Sequence, residues 1–135
     1  MSDPKKELIE YRINRAKKTY LDAQILAKEK RWNSALNRLY YAAYYSVTAL
    51  LLSKNLKPTT HIGAKSNFSE HFIKTGIISE DLGKIYSQLF TWRHKGDYAD
   101  LFDFDEEKVL PYFEPVEKLI LTIEEKLNPD YASGS

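Results

Sequence analysis

The run from Trp32 to Asn55, WNSALNRLYYAAYYSVTALLLSKN, contains no proline or glycine and carries four of the ten tyrosines in the chain. At about 100° per residue, Trp32, Leu36, Leu39, Ala43, Val47 and Leu50 fall on one helical face, the spacing of a core-facing stripe. The opposite side holds Arg38, Tyr41, Tyr45, Ala49 and Leu52, far less polar than the outer face of an ordinary surface helix. A helix apolar on both sides needs two burial partners, and a chain of 135 residues is short for enclosing it completely. The expectation is a homodimer with Arg38 and the tyrosines near its seam.

The other segments are arranged to pack against this helix. Ser2 or Asp3 caps a first helix with Pro4 at its first position, and Ile9, Ile13, Ala16, Tyr20, Ala23 and Ala27 form its narrow apolar stripe. Its basic cluster, Lys5, Lys6, Arg12, Arg15, Lys17 and Lys18, reads as a solvated face more readily than as a phosphate site. Pro58 then breaks the pattern. Thr60 caps a short helix to about Thr75, anchored by Phe68, Phe72 and Ile73 and ended by Gly76. Ser79 caps a further helix with the stripe Leu82, Ile85, Tyr86, Leu89, whose next member is Arg93. The last helix begins near Asp105 and runs Val109, Phe113, Val116, Ile120, Ile123, Leu127. Pro111 and Pro115 leave two alternatives for it, kinked first turns or a regular start near Glu114. The sum is an all-α, antiparallel, up-and-down four-helix bundle with an additional short helix, one domain over residues 1–127 and a flexible tail over 128–135.

Composition removes several function classes. A net charge of +1 gives no long-range attraction for nucleic acid, so any such site is a local patch. The absence of cysteine excludes disulfides and thiolate zinc sites and suits a reducing, cytoplasmic setting. No segment has the apolar length of a secretory signal or a membrane span. His61, His71 and His94 lack the helical spacing of a metal pair, and no P-loop, Rossmann or nucleophile-elbow pattern occurs, so neither a metal nor a cofactor is expected.

Chemistry is then concentrated in two places. In TWRHKGDYADLFDF, Arg93 and Asp97 are four residues apart and Tyr98 follows, a spacing that fits either a structural ion pair or a ligand site. If Arg38 faces the same groove, with Tyr41 and Tyr45 between the two arginines, the groove offers guanidinium forks for phosphate and ring faces for a base. His61 either caps the preceding helix or reaches into that groove.

Arg38-Leu39-Tyr40-Tyr41-Ala42-Ala43-Tyr44-Tyr45, Thr60-His61-x-Gly63 with Phe68 and Phe72, and Arg93-x-x-x-Asp97-Tyr98 together resemble the HEPN domain over about residues 5–127, in its small stand-alone prokaryotic branch. The resemblance implies a dimeric helical bundle, and either a metal-independent endoribonuclease, often a toxin paired with a minimal nucleotidyltransferase, or a non-catalytic nucleotide or RNA binder. The catalytic branch carries an arginine followed after four to six residues by a histidine. That motif is absent here: Asp97 and Tyr98 stand where the histidine would follow Arg93. The sequence therefore points to a binding protein using Arg38, Tyr41, Tyr45, Arg93, Asp97 and Tyr98. The alternatives are a ribonuclease that uses Arg93 with His61 brought in by the fold, and a purely structural interaction module.

Overall fold

The computed structural model describes residues 3–98 and 103–127, and of residues 94–98 the backbone alone. The tail over 128–135 lies outside the described residues. Helix α1, Pro4–Lys28, starts where the Asp3 carboxylate accepts from the Lys5 amide at 3.0 Å, with Pro4 at a position where its missing N–H is not needed. It ends at Lys28, and two residues farther on Lys30, with φ 58°, turns the chain so that the Arg31 amide reaches the Leu26 carbonyl. Helix α2, Trp32–Ser53, stops in the same manner: Asn55 has φ 60°, and the Leu56 amide closes on the Leu51 carbonyl.

Helix α3, His61–Phe68, is capped by Thr60, whose hydroxyl accepts from the Gly63 amide at 2.9 Å. The sequence reads one short helix to about Thr75. Instead the α-helix stops at Phe68 and widens into a π-helical turn over Ser69–Ile73, closed by the Lys74 amide on the Ser69 carbonyl. Gly76 then takes φ +79°, the left-handed conformation that glycine adopts without a Cβ penalty. Helix α4, Glu80–Tyr98, follows, with the Ser79 hydroxyl accepting from the Leu82 amide at 3.3 Å.

The two prolines near the C-terminus divide what the apolar stripe presents as one helix. Asp105 caps α5, Glu106–Val109, a 3₁₀ turn over Leu110–Tyr112 absorbs Pro111, and α6, Phe113–Leu127, begins one residue before Glu114. Pro115 is tolerated because the first four amides of a helix have no intrahelical acceptor.

Helices α1, α2, α4 and α6 form the antiparallel bundle, and among the described residues there is no strand. Contacts at the helix ends fix the directions. Lys5 near the start of α1 reaches the Ser53 carbonyl at the end of α2, and Tyr20 late in α1 donates to the Phe113 carbonyl at the start of α6. Trp92 late in α4 packs edge-on against Phe104, whose amide donates to Asn33 early in α2. No helix among the described residues is long and apolar enough to cross a membrane.

The central helix is buried more completely within one chain than its composition suggests. Ala49 and Leu52, assigned from sequence to a face awaiting a second subunit, are already buried at 0% and 5% exposure. Beyond its first turn, with Trp32, Asn33 and Ser34, and its last residue Ser53, what remains half-exposed on α2 is Asn37, Arg38, Tyr41, Tyr44 and Tyr45, a polar and aromatic strip in place of an aliphatic one. Along the most extensive helix contact, α1 against α2, small residues allow close approach: Ala16, Ala23, Ala35, Ala42 and Ala43 are all fully buried. Replacing Ala23 by leucine should therefore lower stability by about 1–3 kcal/mol through overpacking, measured as a fall in the urea midpoint with unchanged slope.

Candidate functional site

Helix α2 aims four tyrosines at or near one end of α4 because they recur at i, i+1, i+4, i+5, two adjacent columns on a helix surface. Tyr40, in the inner column, is fully buried and stacks on Tyr86 of α4 at 6.0 Å between ring centroids and 10° between planes. Tyr41 and Tyr45, in the outer column, are half-exposed. The aromatic surface thus has a buried base that fixes it and an open edge that can meet a ligand.

Two arginines converge on that edge from different helices. The Arg38 guanidinium lies 5.1 Å from the Tyr41 ring centroid, and the Arg93 guanidinium lies 5.5 Å from the same ring and 5.4 Å from Tyr40. Both line a cleft of about 400 Å³ with Asn33, Asn37, Trp92 and Phe104, so the convergence that spacing alone left conditional is present. Arg38 is oriented by the Asn37 side-chain oxygen, which accepts from Nε at 3.2 Å and from Nη2 at 2.7 Å. No carboxylate lines this cleft among the described residues; Asp103 stands beside it, accepting from Asn33 at 3.3 Å. Two planar cations with an aromatic face between them suit a phosphate ester carrying a base.

His61 is brought into the same aromatic cluster. Its Nδ1 lies 2.7 Å from the Tyr40 hydroxyl, and its ring stacks on Tyr44 at 4.4 Å and sits 5.8 Å from Tyr41. Of the two roles the sequence leaves open for His61, its ring joins the tyrosine cluster, while the end of the preceding helix α2 is closed by the Lys54, Asn55 and Leu56 amides on the Leu51 and Leu52 carbonyls. Tyr45 packs against Tyr41 at 6.1 Å between ring centroids and, one helical turn farther along α2, also lines a neighbouring groove with Arg12, Tyr44 and Lys57. The side chains of Asp97 and Tyr98, the remaining expected site residues, and of His94 lie outside the described residues.

Sequence reasoning passed over Tyr40, Tyr44, Arg12 and Asn37. The first two were visible as the inner tyrosine column. Arg12 belongs to a basic run read as solvated, yet it is half-buried and donates to the Thr48 carbonyl at 3.3 Å. A different basic groove, of about 440 Å³, gathers Lys5, Lys6, Lys54 and Lys126 with Asp3 near the N-terminus of α1. It has flexible point charges and a carboxylate, and lacks the paired guanidinium forks flanking one ring, so the arginine cleft is the better phosphate site.

Burial also sets the ionisation of the cluster. Desolvation pushes the Tyr40 phenol up to about 12, against the opposing pull of the neighbouring Tyr86 hydroxyl and the Arg93 guanidinium, and holds Tyr86 well above its ordinary value. Tyr44 is raised by burial too, opposed by Arg12 and Arg93. The unfolded chain loses these phenolic protons near pH 10, before the folded chain does. Stability from this cluster is thus fully present below about pH 10 and lost as pH rises toward 12, at about 1.4 kcal/mol per pH unit for each proton that the folded state retains in excess. Urea titrations between pH 8 and 11.5 should show a plateau followed by this decline, and Tyr40→Phe should make the decline shallower.

Among the described residues no group of acidic and histidine side chains is arranged to hold a metal ion. The HEPN domain family model matches residues 9–126. Over 120 residues the chain is 42% identical to a UPF0332 protein of Thermotoga maritima, covering 89% of this chain and 91% of that protein. It is 36% identical over 102 residues to "Putative toxin MJ0605" of Methanocaldococcus jannaschii, covering 76% of each. A second protein of that organism, "Putative toxin MJ0142", is 31% identical over 103 residues, which span 76% of this chain and 70% of the relative.

Proposed function

The chain belongs to the HEPN domain family, and from that premise we propose that it is a homodimeric binder of RNA or nucleotide phosphate acting in a toxin–antitoxin-like system. The observation that carries the ligand is the placement of Arg38 and Arg93, from two helices, on the Tyr41 ring, with both arginines lining one cleft. Each guanidinium offers a planar fork to phosphate oxygens, and the ring offers a face to a base. The toxin-like setting is supported by the names of the two archaeal relatives, and a nucleotidyltransferase partner by the family resemblance. Dimerisation is supported by the half-exposed strip of Arg38, Tyr41, Tyr44 and Tyr45 on a mostly buried helix. No cofactor is required by this reading.

One observation favours a second reading, metal-independent RNA cleavage. His61 stacks on Tyr44 and touches Tyr41, which Arg93 also covers, so an imidazole stands on the arginine's aromatic platform although the Arg-to-His spacing motif is missing. There His61 would accept the proton of a 2′-hydroxyl as its oxygen bonds to the adjacent phosphorus and the P–O5′ bond breaks, the departing 5′-oxygen taking a proton from water, while Arg93 steadies the charge gathering on the attacked phosphate. Incubating the protein with a mixed RNA pool in EDTA, followed by filter retention and gel analysis, separates the two. The binding reading expects RNA retained intact, with retention lost in Arg93→Ala. Cleavage that disappears in both Arg93→Ala and His61→Ala would replace it with the second, and neither retention nor cleavage would contradict both.

A further inference from the structure

We propose that the groove of Arg12, Tyr45 and Lys57 is a second phosphate subsite, so that the ligand is a single-stranded oligonucleotide spanning both positions and not a mononucleotide. This rests on the reading of the Arg38–Arg93 cleft as the first subsite. The groove encloses about 220 Å³ between α1 and the segment joining α2 to α3, and among the described residues its lining includes two cations and no carboxylate. Arg12 is held in place by its bond to the Thr48 carbonyl, and Arg15 covers the Tyr45 ring at 5.3 Å, so this end repeats the combination of guanidinium and ring found at the other.

The two subsites are joined by aromatic rings. Tyr44 lines the second groove and stacks on His61 at 4.4 Å; it also meets the half-exposed Tyr41 edge-on at 6.0 Å, over which Arg38 and Arg93 sit. Burial raises the Tyr44 phenol, while Arg12 and Arg93 both act in the opposite direction, which places that ring under the influence of both cationic ends. Arg38 and Thr48, the residue that anchors Arg12, are ten positions apart on α2, a rise of about 15 Å. A single phosphate cannot meet both ends, whereas a strand supplies successive phosphates along the path and bases for the rings between them. With a net charge of +1 over the whole chain, these local cations carry the attraction.

The test uses the full chain and two fluorescent probes, AMP and an eight-nucleotide single-stranded RNA, in EDTA at about 0.1 M salt. Arg12→Ala combined with Lys57→Ala should weaken the octanucleotide by about 10- to 100-fold and leave AMP affinity unchanged. It should also flatten the salt dependence of octanucleotide binding by about 0.7 in log–log slope per lost phosphate contact. Arg93→Ala should weaken both probes. Equal affinity for the two probes, with the double variant matching wild type on each, overturns the second subsite and leaves the first intact. Failure of both probes overturns the first reading as well. A poly-glutamate peptide of the same charge binding as tightly as the RNA would overturn the assignment to nucleic acid. Circular dichroism establishes that each variant is folded, and Arg12→Lys with Lys57→Arg, which keeps both charges, should retain most of the octanucleotide affinity.

Discussion

Arg38→Ala combined with Arg93→Ala should reduce the affinity for single-stranded RNA by about 100-fold or more at 0.1 M salt, with the bundle still folded. Each guanidinium is expected to make a charge-assisted contact with phosphate, worth about 1.5–3 kcal/mol, so two together amount to about 3–6 kcal/mol. The single variants should each lose about tenfold or more, and their losses should add less than fully, because both cations rest on the Tyr41 ring. Lysine at either position keeps the charge and loses the planar fork, so Arg38→Lys and Arg93→Lys should recover only part of the affinity. If the double variant binds RNA as wild type does, the arginines are structural and the interaction-module reading takes their place.

Tyr40→Ala should be the most destabilising single substitution in the aromatic cluster, costing about 3–5 kcal/mol by the measure of large aromatic truncations in cores. Tyr40 is fully buried, and its ring meets those of Tyr41, Tyr44, Tyr86, Phe90 and His61. Truncation opens a cavity under the whole platform and leaves the His61 Nδ1 without the Tyr40 hydroxyl. A domain of this size is stable by about 5–15 kcal/mol in total, so the loss should appear as a large fall in the urea midpoint. Tyr40→Phe isolates the hydroxyl and should cost about 1 kcal/mol. A loss below about 1 kcal/mol for Tyr40→Ala would mean that the platform is not braced through this ring. Because Tyr40 is behind Tyr41 and beneath Arg93, the alanine variant should also bind RNA more weakly where it remains folded.

Local chemistry made most of the fold legible in the sequence. Asp3, Thr60, Ser79 and Asp105 cap the helices that their positions announce, and Gly76 adopts the positive φ that its place after a helix requires. Each of these depends on a few neighbouring residues. The π-helical turn over Ser69–Ile73 is harder to see, since apolar periodicity runs through it without change, whereas Pro111 and Pro115 announce the break before α6 and leave open only its form. The degree of burial of α2 was misjudged for a different reason. Composition tells that Ala49 and Leu52 need covering, but whether the cover comes from the same chain is settled only by the packing of neighbouring helices.

The site shows the same division. That Arg93 continues the stripe of Leu82, Tyr86 and Leu89 follows from spacing within one helix, and so does the tyrosine column beginning at Tyr41. The meeting of Arg38 with Arg93 on one ring depends on the register of α2 against α4, which no local pattern encodes. His61 is farther still from legibility: it follows a proline-containing connection, and only the path of that connection carries its ring to Tyr44. Tyr45 meets Tyr41 and also lines a second groove, because α2 turns one face toward two clefts, which spacing within one helix does not reveal.

The location of the ligand is the central claim, and nuclear magnetic resonance reads it most directly in a chain of 15.7 kDa. Single-stranded RNA titrated in EDTA into protein labelled at arginine, lysine and tyrosine should shift the guanidinium Nε–H signals of Arg38 and Arg93 and the ring signals of Tyr41, saturably and together. Shifts confined to the lysine groove of Lys5, Lys6, Lys54 and Lys126, with Arg38, Arg93 and Tyr41 unmoved, would contradict it.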